Sequence, residues 1–308
     1  LRRAADRPSA AEALAQIHGV DATQRLDELQ AGTLAQAWAA YLRAARAEGF
    51  SDCTPGRFLL PGDLEGSPAL TFAPLPKTSA PRRSLAREFA RRFDAYKRHV
   101  VQPFFRDHFA RIDRQVVLVD VLGAIHAGPA ALEDLRRAMA DILGAFRPGR
   151  NAWLTSLLLG KRVERILFAA TKADHLHSAQ HGKLTAITEA LLREARDKAD
   201  FAGATTKALS IASLRATTEE TRDHGGRALD VVRGTLLDTG KQAAFYPGDL
   251  PEDPTRLLAP ARDGAEGWLD ADYEVMRFAP AEVSLKPGEG PPHIRLDQAT
   301  EFLIGDKL

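Results

Sequence analysis

Three apolar runs frame this chain. They are Gln115-Val116-Val117-Leu118-Val119-Asp120, Arg165-Ile166-Leu167-Phe168-Ala169-Ala170-Thr171 and Ala208-Leu209-Ser210-Ile211-Ala212-Ser213, and each ends in polar or charged residues. Such runs suit parallel strands covered by helices, because alternate side chains enter opposite faces and both faces are buried. Patterns of helical period lie between them. Leu132, Leu135, Met139, Ile142, Leu143 and Phe146 share one face over 130–146, and Pro148-Gly149 stops that helix. A short helix is expected near 151–159. Leu184, Ile187, Leu191 and Leu192 mark another over 182–200. Strands at 115–119, 165–170 and 207–212, alternating with helices, predict an α/β fold with a parallel sheet and right-handed crossovers.

The flanks differ in pattern. Residues 1–111 predict a mainly helical region. Ser9-Ala10-Ala11-Glu12 is a capping box, and Leu34, Trp38, Leu42 and Ala45 form one helix face. A long helix starts at Ser84, with Leu85, Phe89, Phe93, Tyr96 and Val100 as its apolar stripe. Pro103 either kinks it or opens a new helix. Its many arginines (Arg82, Arg83, Arg87, Arg91, Arg92 and Arg98, with Lys97) read as a solvated face in preference to a phosphate or membrane patch. Residues 112–220 hold the α/β core. In 221–292 Gly, Pro and Asp become frequent, which predicts a β-rich excursion. A strand over 229–237, a turn at Asp238-Thr239-Gly240 and short strands near Tyr246 and over 274–278 are expected in it. Residues 293–308 predict a C-terminal helix with Leu296, Ala299, Phe302 and Leu303 packing back on the core.

Composition narrows the classes. A 308-residue chain that is 44% hydrophobic and 27% charged reads as soluble and globular. Lys and Arg number 42 against 41 Asp and Glu, so net charge gives no case for nucleic acid. The single cysteine, Cys53, allows no internal disulfide and fits a reducing cytoplasm. No apolar run approaches the roughly 18 residues of a transmembrane segment. The expected place is the cytoplasm, with peripheral attachment to the inner membrane left open.

Candidate chemistry sits where the second run stops. Ligands in open α/β sheets bind beyond the carboxyl ends of the strands. Thr171-Lys172-Ala173-Asp174 emerges there. The Asp174 carboxylate can accept from two adjacent N–H donors on one planar edge. Guanine offers such an edge in N1–H and its amino group; adenine does not. The Lys172 stem can lie over a base while its ammonium reaches loop carbonyls, and Thr171 can tie the loop to its neighbours. The plainer alternative is a strand end and a solvated loop, and four residues leave both open. Asp120 ends the first run as an Mg²⁺-site carboxylate would, or caps the next loop; the cap is preferred. His175, His177 and His181 lack supporting ligand spacing for a metal. No Gly-x₄-Gly-Lys-Ser/Thr occurs. Gly234 and Gly240-Lys241 have five residues between them, one too many, and Gln242 follows in place of Ser or Thr, so they do not form one.

Four stretches together resemble a known family. They are Pro-Gly-Arg-Phe-Leu-Leu-Pro-Gly-Asp at 55–63, Asp-Arg-Gln-Val-Val-Leu-Val-Asp at 113–120, Phe-Ala-Ala-Thr-Lys-Ala-Asp-His at 168–175, and 292–308. They are similar to the YcjX-like family of bacterial stress-associated P-loop NTPases. Thr171-Lys172-Ala173-Asp174 resembles the guanine-specificity motif of Ras-like GTPases, with Thr171 where Asn is usual. Ala212-Ser213-Leu214-Arg215 resembles their later Ser-Ala-Lys loop. The resemblance implies a Ras-like P-loop fold, binding of GTP and GDP with Mg²⁺, and GTP hydrolysis. It implies that Thr171, Lys172, Asp174 and the backbone of Ser213 and Leu214 recognise the base. In that family the P-loop and most Mg²⁺ ligands lie upstream of the matched region. The chain is therefore expected to be the carboxyl-terminal part of a longer protein, with no catalytic residue of its own. A protein partner for the helical region, an ATP-using relative, and a non-enzymatic regulatory or scaffold module with a relic nucleotide site remain alternatives.

Residues 1–308 alone are expected to release no phosphate from GTP, because nothing in them cradles the β- and γ-phosphates. Turnover by the purified chain that disappears in Asp174→Asn would contradict this.

Overall fold

A computed structural model describes residues 8–47, 60–75, 80–107, 112–145, 163–201, 203–263, 276–280, 286 and 288–308. The expected helix near 151–159 lies outside these residues. The chain divides into two compact units, Leu1–Arg111 and Ile112–Leu308.

The described part of the first unit is helical: α1 (Pro8–His18), α2 (Glu28–Ala47), α3 (Leu85–Tyr96) and α4 (Gln102–Asp107). Leu34, Leu42 and Ala45 of α2 are buried, and Trp38 stacks on Tyr41 at 5.2 Å. The Ser84 hydroxyl caps α3 by accepting from the Arg87 N–H. Leu85 and Phe89 are buried as expected, yet Phe93 is 45% exposed. At 3.6 residues per turn, Arg92 lies nearer than Phe93 to the centre of the buried face. Its guanidinium enters because each of its three nitrogens finds an acceptor, Glu28 at 2.5 Å, Glu88 at 3.1 Å and the Thr71 carbonyl at 3.1 Å. Elsewhere on the helix, Arg91 pairs with Glu88 and Lys97 with Asp94. A π-turn at Lys97–Val101 ends α3, and Pro103 sits in the first turn of α4.

The second unit is built on a parallel sheet of β1 (Arg114–Val119), β2 (Arg165–Ala170) and β3 (Thr205–Ser210), in the order β1-β2-β3. Around it run α5 (Val121–His126), α6 (Pro129–Ala145), α7 (His181–Leu191) and α8 (Arg193–Phe201). The expected helix over 182–200 is thus two, with a break at Leu192. β2 is buried on both faces, which explains its unbroken apolar run. Ile166, Phe168 and Ala170 join Val119 and Ala208 in a core under α5 to α8. Leu167 and Ala169 join Leu209 and Ile211 on the other face.

That other face is covered by the C-terminal helix α10 (Leu296–Ile304), through Leu296, Ala299, Phe302 and Leu303. Its last turn is pinned. The Arg114 guanidinium donates to the Leu303 carbonyl at 2.5 Å, to Asp306 at 2.6 and 2.8 Å, and to Glu164 at 2.7 Å. Arg165 donates to the Phe302 carbonyl and faces Asp306 at 3.2 Å. Cations on the last carbonyls also meet the negative end of the helix dipole.

The region expected as an excursion over 221–292 differs in two ways. An antiparallel ribbon starts earlier, as β4 (Thr217–His224), β5 (Arg227–Thr235) and β6 (Gln242–Phe245). Gly225 and Gly226, at φ 63° and 80°, make the tight turn that only paired positive φ allows. After the ribbon the chain returns to the core. Leu250 and the helix α9 (Thr255–Asp263), through Leu257, Leu258 and Ala261, join the same cluster as β2. The buried Gln180 side chain fixes that return. Its amide donates to the Gly248 carbonyl at 2.9 Å and accepts from the Leu250 N–H at 2.8 Å.

Hydrogen bonds from Arg114 lower the Asp306 pKa to about 2. The folded value is depressed, so the stabilisation is present above the unfolded value near 4 and is lost as pH falls towards 2. Asp306→Asn should lower the melting temperature at pH 6, and the gap to wild type should shrink steadily below about pH 4. A gap that stays constant down to pH 2 would show that the pairing does not hold α10.

Candidate functional site

The site forms where the three parallel strands end. Past Ala170, the Thr171 N–H donates to the Val119 carbonyl at 3.0 Å, carrying the β1–β2 ladder one residue further. The Thr171 hydroxyl lies 3.5 Å from the same carbonyl. Lys172 then turns left-handed, at φ 62° and ψ 32°, a conformation uncommon for a residue with a side chain. The reversal lets the Ala173 N–H reach the Ile211 carbonyl at 3.1 Å, and a 3₁₀ turn follows at Ala173–His175. Ala173 is fully buried against Ala212 and Ile294. A larger side chain there would push the turn off the β3 end.

Asp174 follows and is 5% exposed. Its Oδ2 accepts from the Ala216 N–H at 2.9 Å. Its carbonyl accepts from the Thr217 hydroxyl. Both contacts draw the segment after β3 across the carboxylate. Among the described residues, Oδ1 makes no hydrogen bond, nor do the backbone N–H groups of Ser213 and Leu214. Ser213 is exposed and Leu214 half-buried. The segment is held from the other side by 292–295. The Arg215 N–H donates to the Pro292 carbonyl at 2.8 Å, and Ala212 and Ile294 exchange backbone bonds at 2.9 and 3.2 Å.

One sequence-based expectation is revised here. The Lys172 ammonium does not reach loop carbonyls; it donates to Oδ2 of Asp120 at 2.6 Å. A carboxylate one strand away is the stronger partner. Asp120 itself is the N-cap of α5, its Oδ1 accepting from the Gly123 N–H at 2.9 Å. A Cβ at Gly123 would stand 2.8 Å from Asp120 Oδ2, so only glycine leaves that carboxylate in place. With a cap on one oxygen and an ammonium on the other, Asp120 serves as a strand-end brace.

The three histidines go separate ways, and among the described residues no group of His, Cys, Asp and Glu could hold a metal. His177 faces Glu219 at 3.5 Å and Asp230 at 3.8 Å on the ribbon. His175 sets its ring edge-on to Phe278 at 5.2 Å, and burial lowers its pKa. His181 is turned inward and 3% exposed. Its Nε2 lies 2.8 Å from the Ala173 carbonyl and 3.2 Å from that of Leu176, and its Nδ1 lies 3.1 Å from the Arg295 guanidinium. Sequence reasoning weighs His181 only as a metal ligand and misses this inward role. The available signal was its spacing: His181, Leu184, Thr188 and Leu191 follow one buried helix face.

At the strand ends the Asp174 carboxylate therefore lies buried against the segment that follows β3. The Ras-like GTPase YcjX of Escherichia coli strain K12 is 36% identical over 300 residues, covering 94% of this chain and 62% of that protein. The protein of the same name from Shewanella oneidensis is 32% identical over 272 residues, covering 85% of this chain and 54% of that protein. The chain spans between half and two thirds of the length of these relatives. The model of the YcjX-like family, DUF463, matches residues 1–308, and the chain belongs to that family.

Proposed function

We propose that this chain carries the base-recognition part of a Ras-like P-loop GTPase, and that the longer protein binds GTP and GDP and hydrolyses GTP. The observation that carries the reading is Asp174 at the end of β2, its carboxylate bonded through Oδ2 to the Ala216 N–H of the segment that leaves β3 and keeping acceptor capacity beyond that bond. A carboxylate offers about four acceptor positions. The Ala216 N–H uses one on Oδ2. The rest suffice for guanine N1–H and its amino group, while a backbone N–H at 213–214 meets the base carbonyl. The relatives, named as Ras-like GTPases, support the same nucleotide class.

In this reading Lys172, clamped by Asp120, lays its stem along the base, and Thr171 fixes the turn to β1. The near-complete burial of Asp174 has a consequence. Segment 213–216 must swing outward before a base can reach the carboxylate, so binding includes a local opening of that loop. Among the described residues no group of His, Cys, Asp and Glu could hold a metal by itself, and Asp120 serves its cap and Lys172. Phosphate and metal binding are assigned to the remainder of the longer protein. What this chain supplies is base selection and orientation of the nucleotide, by positioning and fixed dipoles.

Asp174→Asn tests the reading. The Ala216 N–H holds the amide oxygen of the new side chain, which turns its NH₂ towards the base. That NH₂ then opposes a guanine N–H. Charge-assisted bonds are worth roughly 1.5–3 kcal/mol each, so GDP affinity should fall on the order of a hundredfold in the full-length protein. Xanthine has a carbonyl in place of the amino group and accepts from the amide, so XDP should bind the variant more tightly than it binds wild type. Calorimetric titration of both nucleotides decides it. Equal GDP affinity in the two proteins would remove Asp174 from base recognition.

A further inference from the structure

The loop that presents Asp174 closes its own 3₁₀ turn and is held from its inward side as well. Its inward side carries two carbonyls, of Ala173 and Leu176, and both point at one nitrogen, His181 Nε2. A carbonyl only accepts, so Nε2 must carry the proton. On the opposite side of the ring Nδ1 meets Nη1 of Arg295. A guanidinium only donates, so Nδ1 must be bare. The two partners together fix one tautomer of a neutral imidazole and lock its plane. Burial, and then the charge of Arg295, hold its pKa below the ordinary histidine value, against the opposing pull of the Leu176 and Ala173 carbonyls and, last, of Glu219.

Arg295 is itself placed by unusual backbone. It precedes α10 in the left-handed region, at φ 53°, one of two described non-glycine residues with positive φ; Lys172 is the other. Its Nη1 also lies 3.3 Å from the Ser210 carbonyl at the end of β3. The Ser210 hydroxyl in turn donates to the His181 carbonyl at 3.1 Å. Arg295 therefore touches the supports of both loops that converge on the base position.

We propose that Arg295 and His181 are positioning residues that set the base selectivity of this site, with Arg295 orienting the imidazole and the imidazole suspending the Ala173–Leu176 loop so that Asp174 meets the edge of a guanine base. The inference rests on the guanine-site reading, and its test separates the two.

The probe is the pair GDP and inosine diphosphate, whose base lacks only the 2-amino group that Asp174 would read. In the full-length protein GDP should bind about tenfold or more tightly than inosine diphosphate, the worth of one charge-assisted bond. His181→Leu removes both ring nitrogens and should bring the two affinities within about twofold of each other. His181→Gln restores a donor for the Ala173 carbonyl and an acceptor for Arg295, so it should recover the preference. Arg295→Met keeps the imidazole but frees it, and should reduce the preference in the same direction; it also carries the test should His181→Leu fail to fold. A purely structural role would weaken both nucleotides alike and leave their ratio unchanged. If His181→Leu or Arg295→Met keeps the wild-type ratio, the positioning inference is overturned while the guanine reading stands. If wild type itself shows no preference for GDP, the guanine reading falls and the inference with it.

Discussion

The carboxylate of Asp174, withdrawn from water and held by the Ala216 N–H, is the contact on which the site depends. A buried carboxylate is costly unless hydrogen bonds replace its hydration. Here the replacement is backbone: one N–H at 2.9 Å, with the nearest lysine, Lys172, committed to Asp120. That choice of partners matters. A lysine salt bridge on Asp174 would occupy its acceptor positions with a single point charge. A single peptide N–H fixes the direction of the carboxylate and leaves acceptor capacity for a second set of donors. Everything that shapes the loop serves this arrangement: the left-handed turn at Lys172, the small buried Ala173, and the hydroxyl of Thr217 on the Asp174 carbonyl.

The rest of the second unit explains why the strand ends stay in register. β2 is buried on both faces, and its partners are clamped from both ends of the sheet. At the amino end Arg114 and Arg165 hold the last turn of α10. At the carboxyl end the segment before α10 crosses the loops, pairing Ile294 with Ala212 and Pro292 with Arg215. One C-terminal stretch therefore spans the sheet from end to end and touches the site where it matters. The helix is covered by apolar contacts with Leu167, Ala169, Leu209 and Ile211, so its seating and the loop geometry are coupled through a single rigid element.

What the sequence disclosed follows from physics that is local. Continuous apolar runs announced β1, β2 and β3; in β2 the run reflects burial of both faces, whereas in β1 Val116 and Leu118 are 43% and 63% exposed. Thr171, Lys172 and Asp174 stood out since polar residues at the end of such a run must lie at the sheet edge. β4 was not legible. Thr-Thr-Glu-Glu-Thr-Arg-Asp-His has no apolar face, as its ribbon is largely solvated. The burial of Arg92 was hidden because its partner Glu28 lies 64 residues away. The His181–Arg295 contact spans 114 residues, and neither residue carries a local pattern that names the other. Lys172 was placed on carbonyls because its true partner, Asp120, belongs to a different strand. Pairings across the fold are what a single sequence conceals.

The central claim is that these strand ends select guanine. The direct measurement is the melting temperature of the full-length protein with saturating GDP and, separately, with ADP at the same concentration. At a hundredfold excess over the dissociation constant, a ligand of the native state stabilises by about 2.7 kcal/mol. GDP should therefore raise the transition clearly, and ADP, which has no N–H pair for Asp174, should leave it near the value without nucleotide. An equal rise with ADP, or no rise with GDP, would contradict the account.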